Sequence, residues 1–499
     1  MASTGGRSAS NRLYDALVIG GGPAGSATAY WLASAGWDVA VVEKKHFPRA
    51  KTCGDGLTPR SVRQLLDMGL GDALSGAHRY LGLRACAFGS MLELPWPRHP
   101  DFPEYGYTIT RHDLDALVAE HAAKAGATIF EGTEALEPLD PTPGDDGQAG
   151  ASRHSLAGCA GARVRTAPSG GLRDLRARYV VVADGANSRF GRALGTTRNR
   201  AYPQGMALRG YFYSDRHDDP WIESHLDIRD GTGKVVPGYG WVFPLGDGRV
   251  NVGVGLLSTE RRWKGANTSK LMDAFIDWAP RSWGITRQSM CAPPTGGRLP
   301  MGLAVGPRIG PNTLVVGDAA GLINPFNGEG IAYGYESGRL AAAAVHAALE
   351  GSNPAALACY ERDLNEAYGD YYRVARAFVR LISHPRTMRA SVGTTIHSKW
   401  FMSELLRIMG NLMLPGPGGA AERTYRGMVA AAKYKDGALA RLTTEVRRLG
   451  LGRCPVALQR PGGGAPDHPA TTSAAASPAA ETTKASSSGP CANPGKRTS

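Results

Sequence analysis

A glycine-rich turn close to the start of the chain constrains the fold more than any other feature of the sequence. Residues 15–20 form a short apolar run, residues 26–35 are alanine-rich with helical spacing, and residues 38–42 are again β-branched. This order predicts a β-α-β unit. The turn between the strand and the helix fits G-x-G-x-x-G and comprises Gly20, Gly21, Gly22, Pro23, Ala24 and Gly25. Such a turn binds a dinucleotide pyrophosphate, because glycine lets the phosphates approach the backbone at a helix N-terminus.

Glu43 supports this interpretation of the turn. It ends the second predicted strand, about 20 residues beyond the turn, where an acidic side chain accepts hydrogen bonds from a ribose. Its carboxylate favours an unphosphorylated adenosine ribose over a 2′-phosphate. The alternative is a glycine-rich turn that binds nothing. The complete strand, turn, helix and acidic residue make that alternative the weaker one.

Two later segments identify the kind of dinucleotide. Residues 179–183 and 313–317 are β-branched runs followed by turns of small residues, and we expect both to be strands of the same parallel sheet. The turns resemble the Asp-Gly and Gly-Asp motifs of the flavoprotein monooxygenase and reductase superfamily that includes para-hydroxybenzoate hydroxylase. This resemblance implies FAD as the cofactor, with Asp184 and Gly185 beside it and Asp318 on its ribityl chain.

The same resemblance implies cofactor contacts at a later helix start and at an arginine. A helix is predicted to begin near Gly330 and Ile331, so that its backbone N–H groups face the flavin pyrimidine edge and stabilise negative charge on the reduced flavin. Arg111, in Thr-Arg-His-Asp, matches an arginine that contacts the cofactor in this superfamily. The alternative for Arg111 is a surface residue at the start of a helix.

Within the superfamily the sequence resembles the geranylgeranyl reductase family. Residues 47–59 contain that family's Cys-Gly pair, and residues 237–244 are close to its Tyr-x-Trp-x-Phe-Pro strand, although the leading proline lies nearer the tyrosine. The combination is most similar to the actinobacterial menaquinone reductases, and the similarity covers residues 15–410. It implies catalytic roles for Cys53, Tyr239 and Trp241. It also implies cofactor contacts at Lys44, Thr52, Cys53, Gly54, Asp55 and Ala135.

The residue types agree with those roles. Tyr239, Trp241 and Phe243 point to one face of a strand by period-two spacing and can wall an apolar slot. The alternative is that these residues are ordinary sheet core. For Phe243 this alternative carries as much weight as a role in the slot, and for Tyr239 and Trp241 it carries less. Cys53 can donate a proton or tune the flavin, or it can be a buried inert thiol.

The implied activity is the saturation of a double bond in an isoprenoid chain, most closely the side chain of menaquinone. An isolated alkene is a poor hydride acceptor, so the enzyme must position it, exclude water and place a proton source, for which Cys53 and Tyr239 are candidates. Alternative activities are a geranylgeranyl diphosphate or archaetidyl-type lipid reductase, an aromatic hydroxylase of the same fold, and a flavin-containing isoprenoid-binding protein. No second strand-linked G-x-G-x-x-G is present, so no dedicated NAD(P)-binding domain is expected. Because related hydroxylases bind NADPH without such a domain, the sequence does not identify the electron donor.

Composition limits the partners. Lys and Arg number 57 against 44 Asp and Glu, a net charge of +13, but no nucleic-acid motif or block of like charge appears, so nucleic acid is not expected. The seven cysteines are scattered without a C-x-x-C pair, which predicts neither disulfides nor a metal site. No signal peptide or membrane-spanning run is recognised. We expect a cytoplasmic protein bound peripherally to the membrane.

The segment of residues 400–414 is the candidate for membrane contact. Its large apolar residues recur at helical spacing, while Glu404 and Arg407 interrupt the run. Such a helix is too polar to span a bilayer but can lie in its interface. A core helix carries equal weight as an alternative. The apolar positions are Phe401, Leu405, Ile408, Met409 and Leu412.

The predicted fold is α/β, with a Rossmann-like FAD-binding domain of the para-hydroxybenzoate hydroxylase type, an inserted antiparallel-sheet substrate domain and a helical C-terminal region. The Gly/Pro/Ala/Ser-rich stretch 141–171 is expected to be a long loop or hairpin insertion. The tail, poor in large apolar residues, is expected to be disordered. The predicted boundaries are 13–80, 111–200 and 301–382 for the FAD-binding domain, 81–110 and 201–300 for the substrate domain, 383–458 for the helical region and 459–499 for the tail.

Overall fold

The computed structural model describes residues 12–141, 154–168, 170–257, 267–279, 281–382, 385–416 and 418–448. Its first sheet has the strand order β8-β2-β1-β11-β10-β9, and β19 pairs with β11. The pairs β1/β2, β2/β8, β1/β11 and β11/β19 are parallel, whereas β9, β10 and β11 are antiparallel neighbours. Its strands are β1 Leu13–Ile19, β2 Val39–Val42, β8 Thr128–Phe130, β9 Thr133–Leu139, β10 Gly161–Thr166, β11 Gly171–Val182 and β19 Thr313–Val315.

The parallel part of this sheet is the expected nucleotide-binding core. All four residues of β2 and the last four of β1 are buried, as in strands covered on both faces. The helices α1 (Pro23–Ser34) and α6 (Ile331–Glu350) pack closely, because a Cβ built on Gly338 would lie 2.5 Å from the carbonyl oxygen of Ala24. The predicted strands at 179–183 and 313–317 are confirmed as parallel neighbours.

The described end of the predicted insertion at 141–171 forms an antiparallel pair with β11, in keeping with the hairpin alternative, and also contributes to the core. Residues 142–153 lie outside the described residues, but the remainder ends in β10, which pairs with both β9 and β11. Leu156, Cys159, Ala162 and Val164 are buried in the main core. The end of this segment therefore belongs to the first sheet, because alternate small apolar residues suffice for a strand that pairs on both edges.

A second sheet has the order β17-β13-β16-β15-β14-β5-β6. All its pairs are antiparallel except β14/β5, so one parallel junction interrupts the expected antiparallel pattern. The helix α5 (Thr268–Trp278) covers one face through Leu271, Met272 and Phe275. Its strands are β5 Gly82–Ala87, β6 Ser90–Pro95, β13 Gln204–Tyr213, β14 Trp221–His225, β15 Gly238–Pro244, β16 Arg249–Leu257 and β17 Thr295–Pro300.

Short strands and helices connect the two sheets. The sheet β3-β7-β4 consists of Gly56–Leu57, Gly106–Thr108 and His78–Tyr80, and β12 (Thr197–Arg198) pairs with β18 (Val305–Gly306). The connecting helices are α2 Pro59–Asp67, α3 Arg111–Lys124 and α4 Arg189–Ala193. The mixed α/β class is confirmed.

After α6 the described chain is almost entirely helical, as expected. The remaining helices are α7 Ala358–Ile382, α8 Pro385–Thr395, α9 Lys399–Met409 and α10 Ala420–Arg448. The chain divides into two compact units, Met1–Ala432 and Lys433–Ser499. The expected disordered tail, 459–499, lies outside the described residues. None of the helices in the described ranges combines the length and apolarity needed to cross a bilayer.

The helix α9 corrects the expected membrane-facing surface. Ile408 and Leu412 are buried, and Leu405 and Met409 pack against the protein core, so four of the five named positions face inward. Leu405 and Leu412 pack with apolar residues of the hairpin β5–β6, whereas Ile408 and Met409 pack on the main core. Trp400 and Phe401, with 65% and 41% exposure, remain at the surface.

Candidate active site

The glycine turn between β1 and α1 has the geometry of a phosphate-binding loop. Gly20 has a φ of 106°, and a Cβ on it would lie 2.6 Å from the carbonyl oxygen of Ala183. A Cβ on Gly25 would lie 1.9 Å from the Gly20 carbonyl, so only glycine lets the helix start this close to the strand. A Cβ on Gly22 would meet nothing closer than 3.9 Å. The middle glycine thus leaves an open cradle at the N-terminus of α1, into which a pyrophosphate fits.

Glu43 closes the other side of this turn. Its buried carboxylate accepts hydrogen bonds from the backbone N–H groups of Gly21 and Lys45, both at 3.1 Å. Arg49 also donates to it at 3.1 Å. Lys44 beside it is exposed. Ala135, in β9, follows closely on Thr133, whose N–H donates to the Glu43 carbonyl at 2.9 Å.

Arg111 is buried rather than a surface residue. Its guanidinium donates to both carboxylate oxygens of Asp115, at 2.6 and 2.8 Å. Arg49 lies 2.9 Å from the same carboxylate. Two arginines therefore converge on Asp115, and neither Arg49 nor Asp115 was recognised from the sequence, because their pairing joins a loop to a distant helix.

The two later motifs converge on the glycine turn. A Cβ on Gly317 would lie 2.8 Å from the Ala24 side chain, and a Cβ on Gly330 would lie 3.1 Å from Oδ1 of Asp318. Asp318 therefore sits between the glycine turn and the start of α6, which includes Ile331. Burial raises the pKa of Asp318 and lowers that of Lys51, whose ammonium interacts with it. Lys51 lacked a motif signal in the sequence.

Asp184 and Gly185 follow β11 beside this cluster. Oδ2 of Asp184 accepts from the N–H groups of Arg189 and Phe190, so this oxygen caps α4. Gly185 has a φ of 83°, and a Cβ on it would lie 4.0 Å from Nζ of Lys51. The structure thus brings the first and second motifs together on one rim.

The aromatic strand β15 packs on the loop that contains Cys53. A Cβ on Gly54 would lie 3.3 Å from the ring of Phe243 and 3.5 Å from Nε1 of Trp241. The rings of Tyr239, Trp241 and Phe243 follow one another at centroid distances of 5.8 and 6.3 Å. The Tyr239 hydroxyl donates to the Asn327 carbonyl at 2.6 Å, which ties the strand to the start of α6. The expected common face of the three aromatic residues is confirmed.

Burial opposes the loss of the proton from both Cys53 and Tyr239. Burial raises the pKa of the Cys53 thiol, and burial raises the pKa of Tyr239 to about 12. Trp241 is held by a hydrogen bond from its Nε1 to Asn251, at 2.9 Å. Thr52, which precedes Cys53, donates a hydrogen bond to the hydroxyl of Thr295 at 3.1 Å.

The carboxylate of Asp55 is hydrogen-bonded within the protein. Its carboxylate is fully buried and accepts from the Tyr211 hydroxyl at 2.6 Å, from the Asn251 amide at 2.8 Å and from the Arg111 N–H at 3.2 Å. With a φ of 63°, Asp55 anchors a strained turn. These hydrogen bonds tie the Cys53 loop to the second sheet, and the expected contact of Asp55 with the cofactor stays a prediction.

Glu329 is a further buried carboxyl that the sequence did not single out. It precedes Gly330, and its Oε1 accepts from the hydroxyls of Thr58 and Ser61. Its Oε2 is buried without a hydrogen-bond partner among the described residues. Burial raises its pKa to about 7. Only the tertiary fold reveals this group, because Gly-Glu-Gly in the sequence predicts an exposed turn.

Comparison with known proteins identifies the family. Residues 13–208 match the model of the FAD binding domain. The chain is 38% identical to the menaquinone reductase of Mycolicibacterium smegmatis, covering 85% of this chain and 98% of the relative. It is 40% identical to the menaquinone reductase of Mycobacterium tuberculosis, covering 83% and 95%. The chain belongs to the geranylgeranyl reductase family of FAD-dependent oxidoreductases.

The solved structures agree with this family at the level of fold. A geranylgeranyl bacteriochlorophyll reductase-like protein from Thermoplasma acidophilum covers 88% of this chain and 99% of its own, with a TM-score of 0.62 and 23% identity. The FAD cofactor and the oxidoreductase class expected from the sequence are confirmed. In this family member, the open cradle at Gly22 and the Glu43 carboxylate fit the adenosine diphosphate half of FAD.

Proposed function

We propose that this enzyme uses reduced FAD to saturate a double bond in the polyprenyl side chain of menaquinone. The observation that supports it most strongly is the aromatic face of β15 lying on the Cys53–Gly54 loop, close to the start of α6. Apolar rings beside the flavin-binding rim suit a hydrocarbon chain better than a polar substrate. The two mycobacterial relatives bear the name menaquinone reductase over nearly their whole length.

The reaction adds a hydride to one alkene carbon and a proton to the other. FAD, when reduced, supplies the hydride chemistry. The protein's task is to position the alkene, keep water away and hold a proton nearby. We infer that Tyr239, Trp241 and Phe243 hold the prenyl chain. Cys53 and Tyr239 are the candidate proton donors, because burial keeps both protonated.

The cofactor contacts inferred for this chain follow the same geometry. The glycine turn receives the pyrophosphate, Glu43 the adenosine ribose and Asp318 the ribityl chain. The N-terminus of α6 stabilises negative charge on reduced flavin. Arg111 acts through the Asp115 pair, which holds it beside Cys53.

Mass spectrometry of cellular quinones tests the proposed substrate. In a host whose own reductase gene is deleted, we expect the wild-type gene to increase the mass of menaquinone by that of two hydrogens. A Gly22→Leu variant, which fills the pyrophosphate cradle, should leave menaquinone unchanged, whereas Gly76→Leu at an exposed and open glycine should behave as wild type. Unchanged menaquinone alongside reduced geranylgeranyl lipids would favour a prenyl-lipid reductase. Oxygen incorporation into an aromatic substrate would favour a hydroxylase.

Because menaquinone lies in the bilayer, we propose that the enzyme binds peripherally to the cytoplasmic face of the membrane. The surplus of positive charge, +13, attracts anionic lipid. Trp400 and Phe401 are exposed aromatic residues at the start of α9, and aromatic rings favour the bilayer interface.

A further inference from the structure

The face of the second sheet opposite the aromatic residues carries three side chains that ligate metals. The parallel pairing of β14 with β5 places His225 opposite Cys86, and Glu223 lies two positions earlier on the same side of β14. One ligand atom from each of the three residues lies within 4.8 Å of the others. Trp241 pairs with Ser224, the residue between them, so it points to the other face. The cluster is thus separate from the flavin site.

His225 is rigidly placed, and its inner nitrogen faces the Glu223 carboxylate. Its ring contacts Phe275 and Trp278 edge to face, at centroid distances of 5.3 and 5.4 Å. Its buried Nε2 lies 2.8 Å from Oε1 of Glu223, which places the imidazole directly against the carboxylate.

The side chains around the cluster carry an excess of negative charge, which favours a bound cation. Arg84 lies 3.3 Å from Oε2 of Glu223, but the same guanidinium also pairs with Glu93 at 2.8 Å and with Asp219 at 3.1 Å. Asp227, also buried, has an Oδ1 without a partner among the described residues. The carboxylates Glu93, Asp219, Glu223 and Asp227 exceed the arginines that face them, which are Arg84, Arg216 and Arg229.

We propose that Cys86, Glu223 and His225 bind a zinc ion, with a water molecule completing the tetrahedron. A thiolate, an imidazole nitrogen and a carboxylate oxygen are the ligands that zinc accepts together, whereas magnesium and calcium prefer oxygen alone. Binding converts the Cys86 thiol to a thiolate and releases its proton to solvent. The ion would tie β5 to β14 at the one parallel junction of this sheet. The widely spaced ligands explain why no zinc motif was visible in the sequence.

The metal content of the full-length FAD-loaded protein tests this proposal. The protein is purified without metal-affinity resin, incubated with zinc sulfate and desalted, and its zinc is measured by mass spectrometry. We expect stoichiometric zinc in the wild type and background zinc in Cys86→Ser and His225→Gln. Cys359→Ser, a partly buried cysteine on α7, is the matched control and should keep its zinc. Flavin content of each variant reports that it has folded.

X-ray absorption of the zinc-loaded wild type gives a second readout that needs no variant. We expect one sulfur at about 2.3 Å and nitrogen or oxygen neighbours at about 2.0–2.2 Å. Zinc at background level in the wild type after incubation overturns the proposal, as does a zinc spectrum without sulfur. Equal zinc in folded Cys86→Ser and wild type also overturns it. In those cases His225 and Glu223 contact each other directly without a metal.

Discussion

Glu329 is the carboxyl whose titration should be easiest to observe. Its folded-state pKa of about 7 lies above the unfolded value of 4.5, so between these values the folded protein binds the proton more tightly. The stability that this group contributes is present at low pH and is lost as the pH rises towards 7. We expect Glu329→Gln to remove about 3 kcal/mol of this pH dependence, the linkage value of the shift.

Urea unfolding of wild type and Glu329→Gln, each saturated with FAD, at about pH 5 and about pH 8 measures this difference. The wild type should lose stability relative to the variant as the pH rises. Glu366→Gln, at an exposed position on α7, is a control that should follow the wild type. If the free energy of unfolding changes equally with pH in the wild type and Glu329→Gln, the raised pKa assigned to Glu329 is contradicted.

Cys53 should affect turnover more than cofactor binding. Cys53→Ser removes a thiol at the aromatic face and leaves the pyrophosphate cradle intact, so we expect a turnover decrease of about 10²-fold or more if the thiol donates a proton. FAD affinity should change little. Single-turnover reduction of menaquinone and flavin titration measure the two quantities, with Cys359→Ser as the control. Unchanged turnover would reduce Cys53 to a packing residue.

Gly22 offers a sharper test of cofactor orientation. Its backbone is extended, with a φ of −81°, and its Cβ position is open, so Gly22→Leu should fold normally. The new side chain would occupy the space inferred for the pyrophosphate, and we expect FAD binding to be lost. Gly76→Leu should bind FAD as wild type does. Normal flavin content in Gly22→Leu would place the pyrophosphate elsewhere.

The limits of sequence prediction are clearest at individual side chains. Gly20, Glu43, Cys53 and Asp318 could be predicted because each lies in a local motif whose spacing is itself the signal. Arg49 could not, because its partners Glu43 and Asp115 come together only in the folded chain. Asp55 shows what a motif position leaves out, since the motif does not reveal that its side chain bonds to Tyr211 and Asn251.

Among the helices, α9 carries the prediction about the membrane. Trp400→Glu or Phe401→Glu places a charge on an exposed position, so each variant should fold while its association with anionic vesicles weakens. Leu172→Glu, at an exposed leucine of β11, is the matched control and should leave association unchanged. Flotation with phosphatidylglycerol-containing vesicles measures the effect. Failure of the wild type to float would end the docking proposal.

The same helix shows why element types are easier to predict than their surroundings. Helical periodicity correctly predicted a helix within residues 400–414, and β-branched runs correctly predicted the parallel strands. Periodicity shows that a face is apolar but not what covers it. The hairpin β5–β6 that covers α9 is remote in sequence. The parallel pairing of β14 with β5 was likewise invisible, because strand order is not a local property.

The cofactor should stabilise the entire FAD-binding region. The rim that we assign to FAD comes from the start of the chain, from the end of β11 and from the start of α6, so binding links distant segments. At a free concentration 100-fold above its Kd, FAD should add about 2.7 kcal/mol to the unfolding free energy of the apoprotein. Denaturant titration of apoprotein with FAD or FMN measures this. FMN, which lacks the adenosine half, should stabilise much less, and equal stabilisation would contradict the assigned site.

The parallel junction between β14 and β5 also affects how the nascent chain folds. The hairpin β5–β6 leaves the ribosome well before β14, with Met91 exposed and the hydrogen-bonding edge of β5 unpaired. Until β14 is synthesised, that edge is open to pairing with other chains, which favours aggregation. Fragments cut between the two halves of the second sheet should therefore be insoluble when expressed alone. Slow synthesis between residues 95 and 221 would lengthen the time for which the edge of β5 is unpaired. A chaperone bound to β5 during this time would prevent aggregation.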